Sequence, residues 1–178
     1  MRVGVGINMK KEIKFQVMMR VPYMYDFLMK NAYQGAKGIV GIIISVGALV
    51  LYLKGYGGND NFMNGLLLVI AALMVVNPFY LYYKALKQVK LNKNFQEPLN
   101  YIVSEEGIKI GQGTEEGTIP WDAVMMVNET RKSVLVYLSK RIAYIFPKDE
   151  LKESYEPFKE AVKEHAVHCK KMKLFGLK

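Results

Sequence analysis

Two long apolar segments dominate the hydrophobic pattern of the chain. Residues 38–53 and residues 62–83 carry no charged side chain. As helices they would rise about 24 Å and about 33 Å, against a bilayer hydrocarbon core of roughly 30 Å. The glycine- and asparagine-rich residues 54–61 between them indicate a tight turn. The pattern therefore predicts a two-helix transmembrane hairpin. The alternative, two buried helices of a soluble protein, would need a large soluble shell around them.

Short alternating segments on both sides of this hairpin predict strands. Apolar residues alternate from Lys11 to Val21, and residues 22–33 then indicate a short helix leading into the membrane. Beyond Pro98, strand candidates follow at even intervals: 99–104, 107–111, 116–119, 124–130, 134–138 and 142–146. A closing helix follows, with Ser154 as its candidate N-cap.

This order of elements predicts an α+β membrane protein. The transmembrane hairpin is inserted after the first strand of a small antiparallel β-barrel or sandwich, as in pleckstrin-homology-like (PH-like) folds, which a C-terminal helix closes. The predicted segments are an N-terminal strand and short helix (1–37), the hairpin (38–83), a basic juxtamembrane linker (84–97), the PH-like domain (98–168) and a basic tail (169–178). Two alternatives are open for the tail, which either docks on the bilayer surface or frays.

The net charge of +9 is concentrated beside the hairpin. Residues 1–37 contribute +5, residues 84–97 contribute +3, and residues 98–178 contribute only +1. Because positive charge favours the cytoplasmic side, both termini are expected in the cytoplasm. The nearly neutral domain argues against a nucleic-acid partner, which would favour positive charge on the folded domain.

Two sets of residues around the hairpin are candidate functional sites. The first is a basic cluster that faces anionic lipid or merely sets the topology, formed by Lys30, Lys37, Lys84, Lys87, Lys90 and Lys93. The second is a set of small residues that packs the hairpin or forms the contact of a homo-oligomer, formed by Gly38, Gly41, Ser45, Ala48, Gly65 and Ala72.

Several short motifs of the C-terminal half are shared with a known family. They are Ser104–Ile110, Thr118–Asp122, Tyr137–Lys140 and Ile145–Lys148, and upstream the segment Tyr25–Leu28 before the apolar residues. Over residues 10–168 the chain resembles YcxB-like bacterial membrane proteins. The resemblance implies a multi-pass protein of the bacterial inner membrane whose cytosolic domain is similar to bacterial PH domains. It implies no established activity, cofactor or catalytic residue.

The residues themselves indicate no catalytic or metal chemistry. His165, His168 and Cys169 have spacings that could share a metal on a helix, but a helix end packed on the domain is the preferred interpretation. We therefore predict a protein that is not an enzyme and has no cofactor or metal. The predicted function is recognition of a partner protein or anionic lipid at the cytosolic face of the bilayer. The alternative is a homo-oligomeric, transport-related or channel-like subunit assembled through the hairpin.

Overall fold

The computed structural model describes residues 12–113, 115–140 and 142–175, without the side chain of Lys37. The chain divides into two compact units. Residues 20–92 form a helical unit, and the residues on either side of it form a sheet unit. The beginning of the predicted segment 1–37 and the end of the predicted tail lie outside the described residues.

The helical unit contains three helices. They are α1 (Val21–Tyr33), α2 (Ala36–Leu53) and α3 (Asn61–Leu91). The chain bends between α1 and α2 at Gly35, whose φ of +81° lies in the left-handed region that favours glycine. Asp60 begins α3 by accepting hydrogen bonds from the amides of Phe62 and Met63. Helices α2 and α3 pack against each other across the turn.

The length and composition of these helices support a membrane span in part. Helix α3 is long and apolar enough to cross a bilayer, with a mean hydropathy of 2.0 over its most apolar window. Helix α1 and the segment Gly38–Leu53 are bent by 78° and pass the same test only when they are taken together. Among the described residues there is thus one candidate span, or two if the bent pair counts as one. The transmembrane hairpin remains a proposal.

The described residues of the sheet unit form two four-stranded sheets. The first is antiparallel, in the order β1 (Ile13–Val17), β2 (Leu99–Ser104), β3 (Gly107–Gln112) and β4 (Glu115–Pro120). The second has the order β7-β6-β5-β8, with β5 at Met126–Glu129, β6 at Ser133–Tyr137, β7 at Ala143–Pro147 and β8 at Lys171–Lys173. Because β1 pairs with β2, the helical unit is inserted after the first strand, as predicted.

Two short helices complete the sheet unit and close its core. They are α4 (Lys148–Leu151) and α5 (Tyr155–His165). Phe15, Tyr101, Phe146 and Phe158 stack or meet edge to face between the two sheets and α5. Short 3-10 turns lie at Lys93–Phe95, Trp121–Ala123 and Lys152–Ser154.

The structure confirms the α+β class but corrects three details. Of the two predicted forms, barrel or sandwich, the closed barrel is wrong, because the described strands form two separate sheets. The 3-10 turn after Pro120 is where the chain leaves the first sheet for the second. Part of the predicted tail forms β8, which pairs with β5 in parallel. Ser154 makes no side-chain capping bond, since α5 follows directly on another helical turn.

Candidate functional site

The predicted basic cluster is distributed over three elements. Lys84, Lys87 and Lys90 lie on the last turns of α3 and are exposed. At 3.6 residues per turn they fall within an arc of about 120° on that helix. Lys30 is half-buried in the last turn of α1, and Lys93 begins the 3-10 turn of the sheet unit. The side chain of Lys37 lies outside the described residues.

The predicted small residues fall into two groups. Gly38, Ser45 and Ala48 are buried within the helical unit. A Cβ atom at Gly38 would lie 2.5 Å from the Tyr33 backbone, so glycine allows α2 to start against the end of α1. The second group consists of Gly41, Gly65 and Ala72, which are all exposed.

A groove runs along the helical unit, and of this second group Gly41 lines it. It has a volume of about 610 Å³ and is lined mostly by apolar side chains of α2 and α3. At one end the Asn77 amide donates a 3.0 Å hydrogen bond to the Tyr33 hydroxyl, which ties α1 to α3. Gly41 and Ser45 also line the groove. The groove is therefore an apolar surface with four side chains that carry a polar group, namely Tyr33, Ser45, Asn77 and Tyr80.

Sequence analysis missed a buried ionic cluster in the sheet unit. Its centre is the carboxylate of Glu129 at the end of β5, a side chain only 1% exposed. One carboxylate oxygen accepts hydrogen bonds from Lys148 Nζ at 2.5 Å and from the Tyr155 hydroxyl. The other oxygen accepts the backbone N–H of Phe175, also at 2.5 Å. Three elements distant in sequence thus meet at one carboxylate.

These contacts determine the ionisation of the cluster. Burial by itself would raise the pKa of Glu129, but the hydrogen bonds from Lys148, Tyr155 and Phe175 and the charge of Lys148 outweigh it, and the pKa is lowered. Burial, together with the hydrogen bond to Glu129 and its negative charge, raises the pKa of Tyr155. The pair therefore holds one negative charge and one neutral phenol near neutral pH.

A second buried charge lies close to this cluster. Lys159 of α5 is 3% exposed, and its ammonium group donates a 2.8 Å hydrogen bond to the Phe175 carbonyl. It also lies 3.5 Å from the carboxylate of Glu156 and 4.8 Å from the centre of the Tyr155 ring. The main chain of Phe175 is thus held on both sides by charged groups. The sequence carried no clear signal for this arrangement, since Glu129 lies between the polar residues Asn128 and Thr130 at the end of its strand.

The imidazole and thiol groups near the end of α5 lie apart from this cluster. His165 stacks on Trp121 with ring centres 5.7 Å apart, and the Trp121 indole donates a 2.9 Å hydrogen bond to the Ser104 carbonyl. His168 is exposed. Within the described ranges, no group of three His, Cys, Asp or Glu side chains has the geometry of a metal site.

Comparison with known proteins bears on the sheet unit. A family model described as YcxB-like protein matches about a third of the chain, from the end of β2 to within α5. Residues 103–162 match this model and are called the YcxB-like segment below. The resemblance stated from the sequence motifs is thereby confirmed for this segment. No curated protein and no solved structure matches the chain.

The YcxB-like segment is smaller than the folded unit that contains it. It includes Glu129, Lys148, Tyr155 and Lys159, and it leaves out β1, most of β2 and all of β8. Glu129 and Lys159, the two side chains that bind the Phe175 main chain, therefore belong to the matched segment, whereas Phe175 itself lies outside it.

Proposed function

We propose that this chain is a membrane-anchored, non-enzymatic module that recognises anionic lipid at the cytosolic face of a bacterial inner membrane. In this proposal α2 and α3 both cross the bilayer, and both ends of the chain lie in the cytoplasm. The sheet unit, with its YcxB-like segment, is the cytosolic domain and has a PH-like role. A partner protein is the second class of ligand for this domain.

The observation that carries this proposal is the continuity of α3. The helix runs without a break from the apolar residues 61–83 into a basic stretch at 84–91. Its 31 residues rise about 46 Å, which exceeds a hydrocarbon core of roughly 30 Å. If the apolar part spans the core, the last turns emerge at the level of the lipid headgroups. Lys84, Lys87 and Lys90 then lie on the same helix, beside the phosphates.

The expected strength of this interaction follows from the number of lysines. Each basic residue near an anionic surface contributes about 1 kcal/mol, so three lysines contribute about 3 kcal/mol. Replacing all three with glutamine should therefore weaken the retention of anionic lipid by roughly two orders of magnitude. A purely topological role for the lysines predicts no such loss once the protein is correctly inserted.

Native mass spectrometry of the full chain, released from nanodiscs of mixed phosphatidylglycerol and phosphatidylcholine, tests this prediction. The variant carries Lys84→Gln, Lys87→Gln and Lys90→Gln. A control with the same change of charge replaces three exposed lysines of the sheet unit, namely Lys132, Lys140 and Lys152. Selective loss of phosphatidylglycerol in the first variant supports the proposal. Equal retention by both variants contradicts it.

The exposed small residues favour a second candidate function, a homo-oligomeric, transport-related or channel-like subunit. A Cβ atom added at Gly41 or Gly65 would meet nothing within 4 Å in a single chain. Because small residues let membrane helices approach closely, these open positions are suited to contact with a second copy.

Substitution on α2 tests assembly without disturbing the single chain. Gly41→Leu should dissociate an oligomer, whereas Gly47→Leu is a matched control. Gly47 is equally open, but it lies about 120° around the helix from Gly41. The readout is the oligomer distribution in the same nanodiscs. A wild-type chain that is strictly monomeric excludes this candidate.

A further inference from the structure

The edge of β5 is covered by the C-terminal segment of the same chain. Strand β8 pairs in parallel with β5, with Met126 opposite Lys171 and Asn128 opposite Lys173. The amide of Lys170 also donates a 2.9 Å hydrogen bond to the Met125 carbonyl. This contact has the form of β-strand addition, in which an extended peptide joins the edge of a sheet.

The sheet unit binds the main chain of this segment with charged side chains. Glu129 accepts the N–H of Phe175, and Lys159 donates to the C=O of the same residue. The ring of Phe175 is 57% exposed, with Lys148 Nζ 5.5 Å from its centre. Recognition thus rests on the peptide group and on the extended conformation rather than on burial of the aromatic ring.

These charges depend on the bound segment. Burying an ionised group is unfavourable unless hydrogen bonds satisfy it. Without residues 171–175, Glu129 would keep its hydrogen bonds from Lys148 and Tyr155, but its second carboxylate oxygen would lose the Phe175 N–H. Lys159 would lose its hydrogen bond to the Phe175 carbonyl and would keep the ion pair with Glu156, at 3.5 Å. The site is therefore complete only when an extended peptide occupies it.

The bound segment itself has few side-chain contacts. Strand β8 has only three residues, and Lys171 and Lys173 are exposed. Met172 and Leu174 are the side chains that pack against the core. With so little buried side-chain surface, β8 is held on β5 mainly by main-chain hydrogen bonds, which another extended peptide could supply.

We propose that the β5 edge, with Glu129 and Lys159, is a binding site for an extended segment of a partner protein, and that residues 171–175 occupy it in cis. The partner segment runs parallel to β5. It has apolar residues at the positions of Met172 and Leu174, and it supplies a free N–H at the position of Phe175. The intrachain segment keeps the site closed until the partner displaces it.

The test uses a fluorescent peptide with the sequence of residues 170–175 and the full chain in detergent micelles. In the wild-type chain the attached tail competes at an effective concentration in the millimolar range. The released form of the site is a chain that ends at Lys170. A second released form, Met172→Asp with Leu174→Asp in the full-length chain, is used if the shortened chain does not fold. Fluorescence of Trp121 reports folding in each case.

The matched control peptide differs by one N-methyl group at Phe175. It keeps the charge and apolar surface of the probe but cannot donate to Glu129. We expect the unmodified peptide to bind a folded released form at least roughly tenfold more tightly than it binds the wild-type chain. The N-methyl peptide should bind the released form roughly tenfold more weakly than the unmodified one, since a hydrogen bond to a charged group is lost.

Three results would overturn the proposal. The two peptides bind the released form equally, the wild-type and released chains bind the peptide equally, or a folded released form binds neither peptide. Lys159→Met in a released form provides a second check, because it removes the donor to the peptide carbonyl. Unchanged binding by that variant also contradicts the proposed site.

Discussion

Replacing Glu129 with glutamine is the sharpest test of the buried ionic cluster. The change preserves the shape of the side chain and removes one acceptor oxygen. In the native cluster one oxygen serves Lys148 and Tyr155, and the other serves the Phe175 N–H. The glutamine amide can accept hydrogen bonds from only one of these two sets of donors, because it has one oxygen and its NH₂ group is itself a donor.

The magnitude follows from the contacts that are lost. If the amide oxygen stays with Lys148 and Tyr155, the NH₂ group faces the Phe175 N–H and that hydrogen bond is lost. A hydrogen bond to a charged group contributes about 1.5–3 kcal/mol. The attraction between Glu129 and Lys148 is lost as well, but the Lys148 side chain is 23% exposed, so water offsets part of this loss. We expect the free energy of unfolding of the sheet unit to fall by about 2–4 kcal/mol.

The chain contains a reporter suited to this measurement. Trp121 is the only tryptophan, and it is 5% exposed in the core of the sheet unit. Its fluorescence during urea unfolding of the full chain in micelles therefore follows this unit. Glu153→Gln is the control, because that side chain is exposed and its replacement should change stability by less than about 0.5 kcal/mol.

One result would refute the reasoning. If Glu129→Gln unfolds within about 0.5 kcal/mol of the wild type at pH 7, the three hydrogen bonds do no more than compensate for burial of the carboxylate. Combining the change with Lys148→Met then measures the coupling between the two side chains directly.

Two further predictions use the same reporter. Because the folded-state pKa of Glu129 is lowered, its stabilising effect is present above the ordinary carboxylate pKa of about 4.3 and is lost as the pH falls through the folded value. The wild type should therefore lose more stability than Glu129→Gln between pH 6 and pH 3.5, and equal losses would show that other groups dominate. Gly107→Ala should destabilise the sheet unit by about 2 kcal/mol or more, since φ is +152° and the new Cβ would lie 2.2 Å from the Ile119 carbonyl oxygen. Gly113→Ala, at an open turn position with φ of +59°, should cost only about 1 kcal/mol, and similar losses for both variants would contradict the steric argument.

Local patterns predicted most elements of the fold. Alternation located β1, because one face of that strand packs into the core, and short segments between turn residues located the strands after Pro98. Charge-free stretches located α2 and α3 because nothing in them requires contact with water. The insertion of the helices after the first strand also follows from element order, and the pairing of β1 with β2 confirms it.

Contacts between distant residues account for what the sequence did not reveal. A three-residue segment such as Lys171–Lys173 has too short an alternation to predict a strand, and β8 exists because β5 offers an open edge. The division into two sheets occurs at the turn after β4. This turn is held by Trp121, which is buried and donates a hydrogen bond to the Ser104 carbonyl. Glu129 looked like an ordinary strand-end acid until the fold placed Lys148 and Tyr155 beside it.

The position of β1 has a consequence for how the chain folds. About 80 residues, including the whole helical unit, separate the paired strands β1 and β2. For a flexible chain, closing such a loop would be slow and would have a large entropic cost. When the helices form first, they fix the distance between the two ends of the inserted segment. That distance then determines how fast β1 pairs with β2. Until then β2 presents an unpaired edge to its surroundings. Substitutions that disturb the turn at 54–60, which lies far from any strand in the sequence, should therefore cause the sheet unit to aggregate during synthesis.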